Sequence, residues 1–329
     1  MPDQLLFATE VALNGLMAGV MYALVALGFV LIFKASGIFN YAQGVMALFA
    51  AMTLVGIQNG QVPFSHLINA VFGTDIHTFG WQAPALLAIL LTVIVMGLLA
   101  WLVNRYIFRH LVNQEPIILF MATIGLAYFL EGVADLMWGS EIKTLDVGIP
   151  QGINAWIDET TFEAFGYGFF IDNLDIVATI IAALLVAGLV AFSQYTKQGR
   201  AMRAVADDHQ AALSVGISLN FIWVLVWTIA GFVALVAGIM WGSKSGVQFS
   251  LSLIALKALP VLMLGGFTSI PGAIVGGLII GVGEKLFEFL IGQPYLGGAT
   301  EIWFAYVLAL VFLVFRPQGL FGERIIERV

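Results

Sequence analysis

The chain has 329 residues, of which 61% are hydrophobic and only 10% are charged. A soluble globular protein is about 45–50% apolar and about 25% charged, so this composition excludes a cytosolic enzyme and a disordered protein. The formal net charge of -7 would repel phosphate groups, which excludes a nucleic-acid binder. The absence of cysteine excludes a disulfide, a thiolate metal site and a cysteine nucleophile. These properties predict an all-α integral membrane protein, because β-barrels alternate apolar and polar residues.

Long uncharged runs predict about eight to nine transmembrane helices, since a spanning helix needs about 20 apolar residues. We expect them to form a single transmembrane domain over residues 1–329. Residues 251–264 are the weakest candidate because that run is short. In chain order the segments are 11–33, 43–57, 82–104, 116–138, 176–195, 218–243, two between 245 and 289, and 301–315.

The distribution of positive charge predicts an external N-terminus and a cytoplasmic C-terminus. Lys and Arg concentrate on the cytoplasmic side of membrane proteins. With this orientation, only Lys143 and Lys244 fall outside, and Lys257 and Lys285 lie within or at the ends of spans. The other nine of the thirteen fall inside: Lys34, Arg105, Arg109, Lys197, Arg200, Arg203, Arg316, Arg324 and Arg328.

The predicted external loop 139–175 is rich in Asp and Glu. Acidic residues contribute little to topology, so a solvated loop explains them. The alternative is a docking face for an external soluble protein.

Several kinds of chemistry have no residues to support them. The sequence has no G-x-x-x-x-G-K-[ST] phosphate loop, so this chain is not expected to hydrolyse ATP. It also lacks an H-E-x-x-H zinc motif and a G-x-S-x-G nucleophile elbow. We therefore expect no enzyme activity, no metal site and no cofactor in this chain.

The most informative segment is the predicted cytoplasmic loop TKQGRAMRAVADDHQAALSVGI, residues 196–217. Ala201, Val205, Ala212 and Val215 recur at helical spacing. The segment predicts a short amphipathic helix that lies along the membrane or in a groove of a partner protein.

This loop resembles one in the permeases of branched-chain amino acid ABC importers, which read T-x-x-G-R-A-x-R-A-V-A-[DE]-[ND]. The chain departs from that pattern at Asp208-His209, where the family more often has Asn-Pro. Three further segments are similar to the LivH-type member in matching order and spacing, with a small departure at Phe267-Thr268. They are NGLMAGVMYALVALGFVLIFKASGIFNYAQG (14–44), GGFTSIPGAIVGG (265–277) and RPQGLFG (316–322).

The resemblance implies a LivH-type permease subunit that forms a membrane channel with a LivM-type partner. Two cytoplasmic ATPases, which hold ATP and Mg, would bind beneath them, and an external solute-binding protein would deliver the substrate. Residues 196–217 would then be the coupling helix, with Arg200, Arg203 and Asp207 as surface anchors and Ala204, Val205 and Ala211 as the packed face. The full set of predicted coupling residues is Gly199, Arg200, Arg203, Ala204, Val205, Asp207, Asp208, Ala211 and Gly216.

Polar interruptions of the apolar runs mark candidates for the substrate pathway. GGFTSIPG predicts a helix break at Gly265, Gly266, Pro271 and Gly272, which is tolerated at membrane depth only where protein or water satisfies the backbone. Ionisable groups inside spans either line a polar pathway or form a structural ion pair, such as Lys257 with an acidic partner. The predicted pathway residues are Asn14, Tyr22, Asn40, Gln43, Thr123, Glu131 and Lys257.

The resemblance thus implies a multi-pass permease of the bacterial inner membrane, in contact with lipid, that imports branched-chain or related small amino acids. Two alternatives remain open. A member of the same family could import urea, short amides or aromatic acids. A stand-alone secondary transporter is the third possibility, although it would not need an ATPase-docking loop.

Overall fold

The computed structural model describes residues 2–111, 114–207 and 209–322, and these residues form helices and connecting turns without a β-sheet. The all-α prediction is confirmed. The helices are α1 Pro2–Ser36, α2 Gln43–Gln58, α3 Ser65–Phe72, α4 Ala85–Tyr106, α5 Pro116–Trp138, α6 Ala155–Phe165, α7 Asn173–Tyr195, α8 Lys197–Asp207, α9 His209–Ser214, α10 Leu219–Ser245, α11 Ile254–Gly265, α12 Ile270–Phe287 and α13 Glu301–Phe315. Short 3₁₀ turns cover Phe108–His110 and Phe249–Leu253, and a π-helical segment, Glu288–Leu296, extends α12.

Five helices in the described part of the chain are long and apolar enough to cross a membrane, and a bent pair brings the number to six. The five are α1, α4, α5, α7 and α10, and the pair is α11 with α12, bent by 114°. The predicted segment 116–138 matches α5 at both ends. The predicted count of eight to nine is not confirmed; two further apolar helices, α2 and α13, have 16 and 15 residues.

The chain divides into two compact units. One unit comprises the described parts of Met1–Val30, Ile149–Val190 and Leu256–Val329, and we call it the α12 unit. The other comprises the described parts of Leu31–Gly148 and Ala191–Ala255, and we call it the α2 unit.

In the α2 unit, α2 is a core helix with α4, α5 and α10 packed around it. Every residue from Gln43 to Gly56 is buried, as expected for a helix that is apolar on all sides. Glycines allow the close approach: a Cβ on Gly238 would lie 2.4 Å from the Ala47 carbonyl oxygen, and one on Gly56 would strike the Trp138 ring.

In the α12 unit, α1 crosses α12 at two pairs of glycines. A Cβ on Gly15 would lie 2.8 Å from the Gly281 carbonyl oxygen, and one on Gly19 would lie 2.6 Å from the Gly277 carbonyl oxygen. Small residues let helices approach to backbone contact where no water separates them. The small-xxx-small spacing in these two helices is therefore explained by packing.

Candidate functional site

The α2 unit brings together three of the predicted pathway residues at the break between α1 and α2. Asn40, Gln43 and Thr123 are all buried. The Asn40 amide donates to Gln43 Oε1 at 3.1 Å, and Gln43 Nε2 donates to the Ala230 carbonyl at 3.2 Å. These side chains therefore form hydrogen bonds with one another and with the backbone of α10.

Thr123 satisfies the non-helical backbone at the same break. Its hydroxyl accepts the Tyr41 N–H at 3.2 Å and lies 3.1 Å from the Phe39 carbonyl oxygen. Asn40 Oδ1 also accepts the Ala42 N–H at 3.2 Å. Asn40 and Ala42 are buried at this break, so side chains must supply hydrogen-bond partners there, Asn40 from within the FNYAQG segment and Thr123 from α5.

The α12 unit contains a buried ionic cluster built from four helices. The Glu284 side chain is 0% exposed, and its Oε2 lies 3.1 Å from Lys257 Nζ, whose side chain is 29% exposed. The Tyr22 hydroxyl donates to Glu284 Oε1 at 2.5 Å, and Lys257 also donates to the Glu301 carbonyl at 3.1 Å. We call Tyr22, Lys257, Glu284 and Glu301 the Glu284 cluster.

The Lys257 ammonium group has several interaction partners within the cluster. Lys257 Nζ lies 5.7 Å from the centroid of the Tyr22 ring, in addition to its two oxygen partners. The Glu301 side chain pairs with Lys285 at 2.8 Å. Two lysines and two glutamates thus lie together with no net charge. The structure therefore gives Lys257 an acidic partner, Glu284, which the sequence did not identify because 27 residues separate them.

Asn14 and Glu131 lie outside both groups of interacting side chains. Each is half-buried on a long helix, α1 and α5 respectively. One turn after Glu131, Asp135 lines an open cleft of about 690 Å³ in the α2 unit, together with His66, His77 and Lys143. No group of three possible metal ligands occurs among the described residues.

Lys143 lies partly inside this cleft and holds the loop after α5. Its ammonium donates to Gln61 Oε1 at 2.6 Å and to the Trp138 carbonyl at 2.5 Å. Burial lowers the pKa of Lys143, and the nearby charge of Glu141 opposes that shift. These bonds fasten the loop to the end of α2.

The break between α11 and α12 is closed by the last described segment, RPQGLFG. α11 ends at Gly265, and α12 begins at Ile270 with Pro271 and Gly272 in its first turn. The backbone N–H groups of Leu320 and Phe321 donate to the carbonyls of Leu264 and Gly265, at 2.8 and 3.1 Å. Carbonyls freed by the break therefore receive main-chain partners from residues 316–322.

Glycine is required where this closing segment meets the break. Gly266 and Gly319 both have left-handed backbone, with φ of +102° and +78°. A Cβ on Gly319 would lie 2.7 Å from the Gly266 backbone nitrogen. At the other side of the break, Ser269 Oγ accepts the Gly272 N–H at 3.0 Å and caps α12.

The predicted coupling segment forms two short helices, α8 and α9; Asp208, between them, lies outside the described residues. Arg200 and Asp207 are exposed, and Arg203 and Ala204 are half-buried. Ala211 is exposed on α9, and Gly216 follows α9 with a φ of +83°.

Two of the predicted coupling residues have contacts that are complete within the chain. Val205 is fully buried in its own unit, so it packs inward. A Cβ on Gly199 would collide with the backbone of Phe192 and Ser193, so this glycine allows the sharp turn from α7 into α8. Among the described residues of the predicted coupling set, Arg200, Asp207, Ala211 and Gly216 are exposed and Arg203 and Ala204 are half-buried, so these six are accessible to another protein.

Arg200 and Arg203 also cap the C-terminus of α7. Arg200 Nη1 lies 3.4 Å from the Tyr195 carbonyl oxygen, and Arg203 Nη2 lies 3.5 Å from that of Gln194. A cation at a helix C-terminus interacts favourably with the helix dipole. The guanidinium groups are therefore held at the surface of the unit.

Comparison with known proteins connects these features. Residues 11–316 match the family described as "Branched-chain amino acid transport system / permease component". The chain is 28% identical over 332 residues to the Escherichia coli (strain K12) protein "High-affinity branched-chain amino acid transport system permease protein LivH", with 100% of both chains covered. It is 28% identical to the BraD protein of the same description from Pseudomonas aeruginosa, with 96% of each covered. A solved structure, "PsaBC from Streptococcus pneumoniae in complex with Fab", covers 93% of this chain and 91% of that chain at 15% identity, but its TM-score of 0.40 is too low to support an argument. Because the family match spans nearly the whole described chain, this multi-pass membrane protein belongs to the branched-chain amino acid transport permease family.

Proposed function

We propose that this chain is a membrane-spanning permease subunit of an ATP-driven importer for branched-chain or related small amino acids. The observation that carries the proposal is the family match over residues 11–316, together with full-length similarity to LivH. The order of the α1–α2 break, α8 with α9, the α11–α12 break and the closing segment supports it. The chain itself has no phosphate loop, so hydrolysis must occur elsewhere.

The assembly that we propose has four further components. A LivM-type permease completes the membrane channel, and two ATPases bind ATP and Mg in the cytoplasm. An external binding protein delivers the solute. The open surface of α8 and α9 would dock on an ATPase. The hydrogen bonds from Arg200 and Arg203 to the end of α7 would then transmit motion to a spanning helix.

We propose an inner-membrane orientation with the N-terminus outside and the C-terminus in the cytoplasm. Nine of the thirteen Lys and Arg residues support it by the positive-inside rule, although Arg324 and Arg328 lie outside the described residues. Under this orientation α8 faces the cytoplasm, where an ATPase could reach it. Labelling of single cysteines from each side of the membrane tests the assignment.

Co-purification of the ATPases with the Arg203→Glu variant tests the docking surface. Charge reversal on the open surface of α8 should reduce ATPase recovery several-fold, because it reverses the electrostatic complementarity of the proposed contact. Arg105→Glu, at the end of α4, is the matched control for a change of charge elsewhere. Full recovery with Arg203→Glu, or equal losses with both variants, would contradict docking at α8.

Competition assays distinguish the proposed substrate from the alternatives. Leucine, isoleucine and valine should compete with one another for uptake, whereas urea, short amides and aromatic acids should not. Uptake that persists without ATP would instead indicate a secondary transporter.

A further inference from the structure

Helix α3 presents an unpartnered apolar side to the surroundings of the α2 unit. Leu67, Val71 and Phe72 of this eight-residue helix are all exposed, Val71 and Phe72 to 66% and 74%. Ser65, in the first turn, is buried, and Asn69 is half-buried. The helix therefore exposes large apolar side chains while its first turn contacts the protein.

The exposed side chains are held by an ordered backbone. Asn69 Nδ2 donates to the Ile76 carbonyl at 3.2 Å, and Asn69 Oδ1 accepts the Ile76 N–H at 3.0 Å. Val62 N–H donates to the His77 carbonyl, and Phe79 N–H donates to the Gly60 carbonyl at 2.8 Å. Hydrogen bonds thus hold residues 59–84 against α3 and the end of α2. The exposed apolar side chains of this segment are therefore fixed in position by the fold.

This apolar surface continues into the exposed surface of a spanning helix. Phe79 and Trp81 are exposed and lie four to six residues before α4 begins at Ala85. In α4, Leu86, Leu90 and Ile94 are exposed, and only 28% of the spanning window is buried. Aromatic residues at the end of a spanning helix are typical of the membrane–water interface.

We propose that α3 and residues 76–81 form an interfacial anchor that lies in the headgroup and acyl boundary of the lipid leaflet where α4 enters the membrane. Amphipathic helices bind this boundary by burying their apolar side about 5–10 Å deep. Residues 59–84 contain no Lys or Arg, so buried apolar area, and not attraction to anionic lipid, supplies the binding. Ser65, His66, Leu67 and Ala70 of α3 line the open cleft.

Depth measurements with spin labels test the proposal. The chain has no cysteine, so Val71→Cys and Phe79→Cys each provide a single labelling site. The full chain, with the subunits that co-purify with it, is labelled with a nitroxide and reconstituted in phosphatidylcholine bilayers. Power-saturation spectroscopy then compares collisions with oxygen, which concentrates in hydrocarbon, and with a nickel chelate, which stays in water.

Two matched sites calibrate the measurement. Leu90→Cys reports the lipid-facing middle of α4, and Glu141→Cys reports an exposed polar loop of the same unit. The oxygen-to-nickel ratio at Val71 and Phe79 should exceed that at Glu141 several-fold and lie below that at Leu90. A ratio equal to that at Glu141 would place the segment in water. Low collision rates with both reagents would show that a protein covers it, and either result overturns the proposal.

Discussion

Glu284 places a carboxylate inside a helix that would otherwise be apolar. A charged side chain near the bilayer centre costs about 2.5–3.5 kcal/mol on insertion scales. The structure offsets this cost with the Lys257 ammonium at 3.1 Å and the Tyr22 hydroxyl at 2.5 Å. These contacts join α1, α11 and α12, so the pair favours one arrangement of the three helices.

Removing one member of this pair should destabilise the α12 unit strongly. Lys257→Met leaves the Glu284 charge buried without its counter-ion, which typically costs about 3–5 kcal/mol. Glu284→Met leaves the partly exposed Lys257 without its carboxylate partner, and the double variant removes both charges. Unfolding in detergent should therefore show that the double variant loses much less stability than the sum of the single variants. Additive losses would show that the two groups do not interact.

Tyr167 provides a pH-dependent test outside the spans. Burial raises the pKa of Tyr167 from 10.0 to about 12, together with the 2.8 Å hydrogen bond that its hydroxyl donates to Glu10. Between those values the unfolded chain releases this proton and the folded chain keeps it, so stability falls as pH rises and the contribution is lost above pH 12. The tyrosinate absorbance difference between wild type and Tyr167→Phe should titrate near 12. A midpoint near 10 would mean that Tyr167 does not bind Glu10 in solution.

At the scale of elements, α1 and α12 can cross closely because glycines, which have no side chain, lie at the contact. A Cβ on Gly277 would lie 2.6 Å from the Gly19 carbonyl oxygen and 2.8 Å from the Ala23 Cβ. Gly277→Ala should thus lower the free energy of unfolding by about 1–3 kcal/mol through overpacking. In the control, Gly188→Ala on α7, no atom within 4 Å meets the new methyl group. It should be neutral or stabilising by about 0.5–1 kcal/mol. Similar losses in both variants would refute the close crossing.

Helix ends and long spans could be predicted from the sequence because their signals are local. Pro116 begins α5 and Gly139 follows its last residue, so both ends of that span were predicted correctly. The apolar run in α2 did not reveal that this 16-residue helix is buried on all sides by other helices. Hydropathy reports burial but does not distinguish lipid from protein as the burying medium.

Polar residues with specific partners were predictable by type but not by partner, and their role in a substrate pathway stays a prediction. Asn40, Gln43, Thr123, Tyr22 and Lys257 were recognisable because polar groups in apolar runs are costly. Their partners lie up to 262 residues away, as for Tyr22 and Glu284, and no local pattern encodes such a distance. The role of RPQGLFG in closing the α11–α12 break required the hydrogen bonds of Leu320 and Phe321.

At the scale of the whole molecule, the boundaries between the two compact units fall inside three helices. Residues of α1, α7 and α11 fall partly in each unit. The closing segment and the Glu284 cluster both stabilise the α12 unit, whereas α8 and α9 belong to the α2 unit. The surfaces proposed for the ATPase and the stabilising ionic cluster therefore lie in different units.

ATP-dependent uptake by reconstituted liposomes tests the central claim most directly. The chain is assembled with the proposed second permease, ATPases and external binding protein, and labelled leucine is supplied outside. The account predicts uptake only when ATP and Mg are enclosed on the ATPase side, and its loss when the ATPase phosphate-loop lysine is replaced by alanine. Equal uptake without ATP, or none with the complete assembly and any branched-chain amino acid, would contradict it.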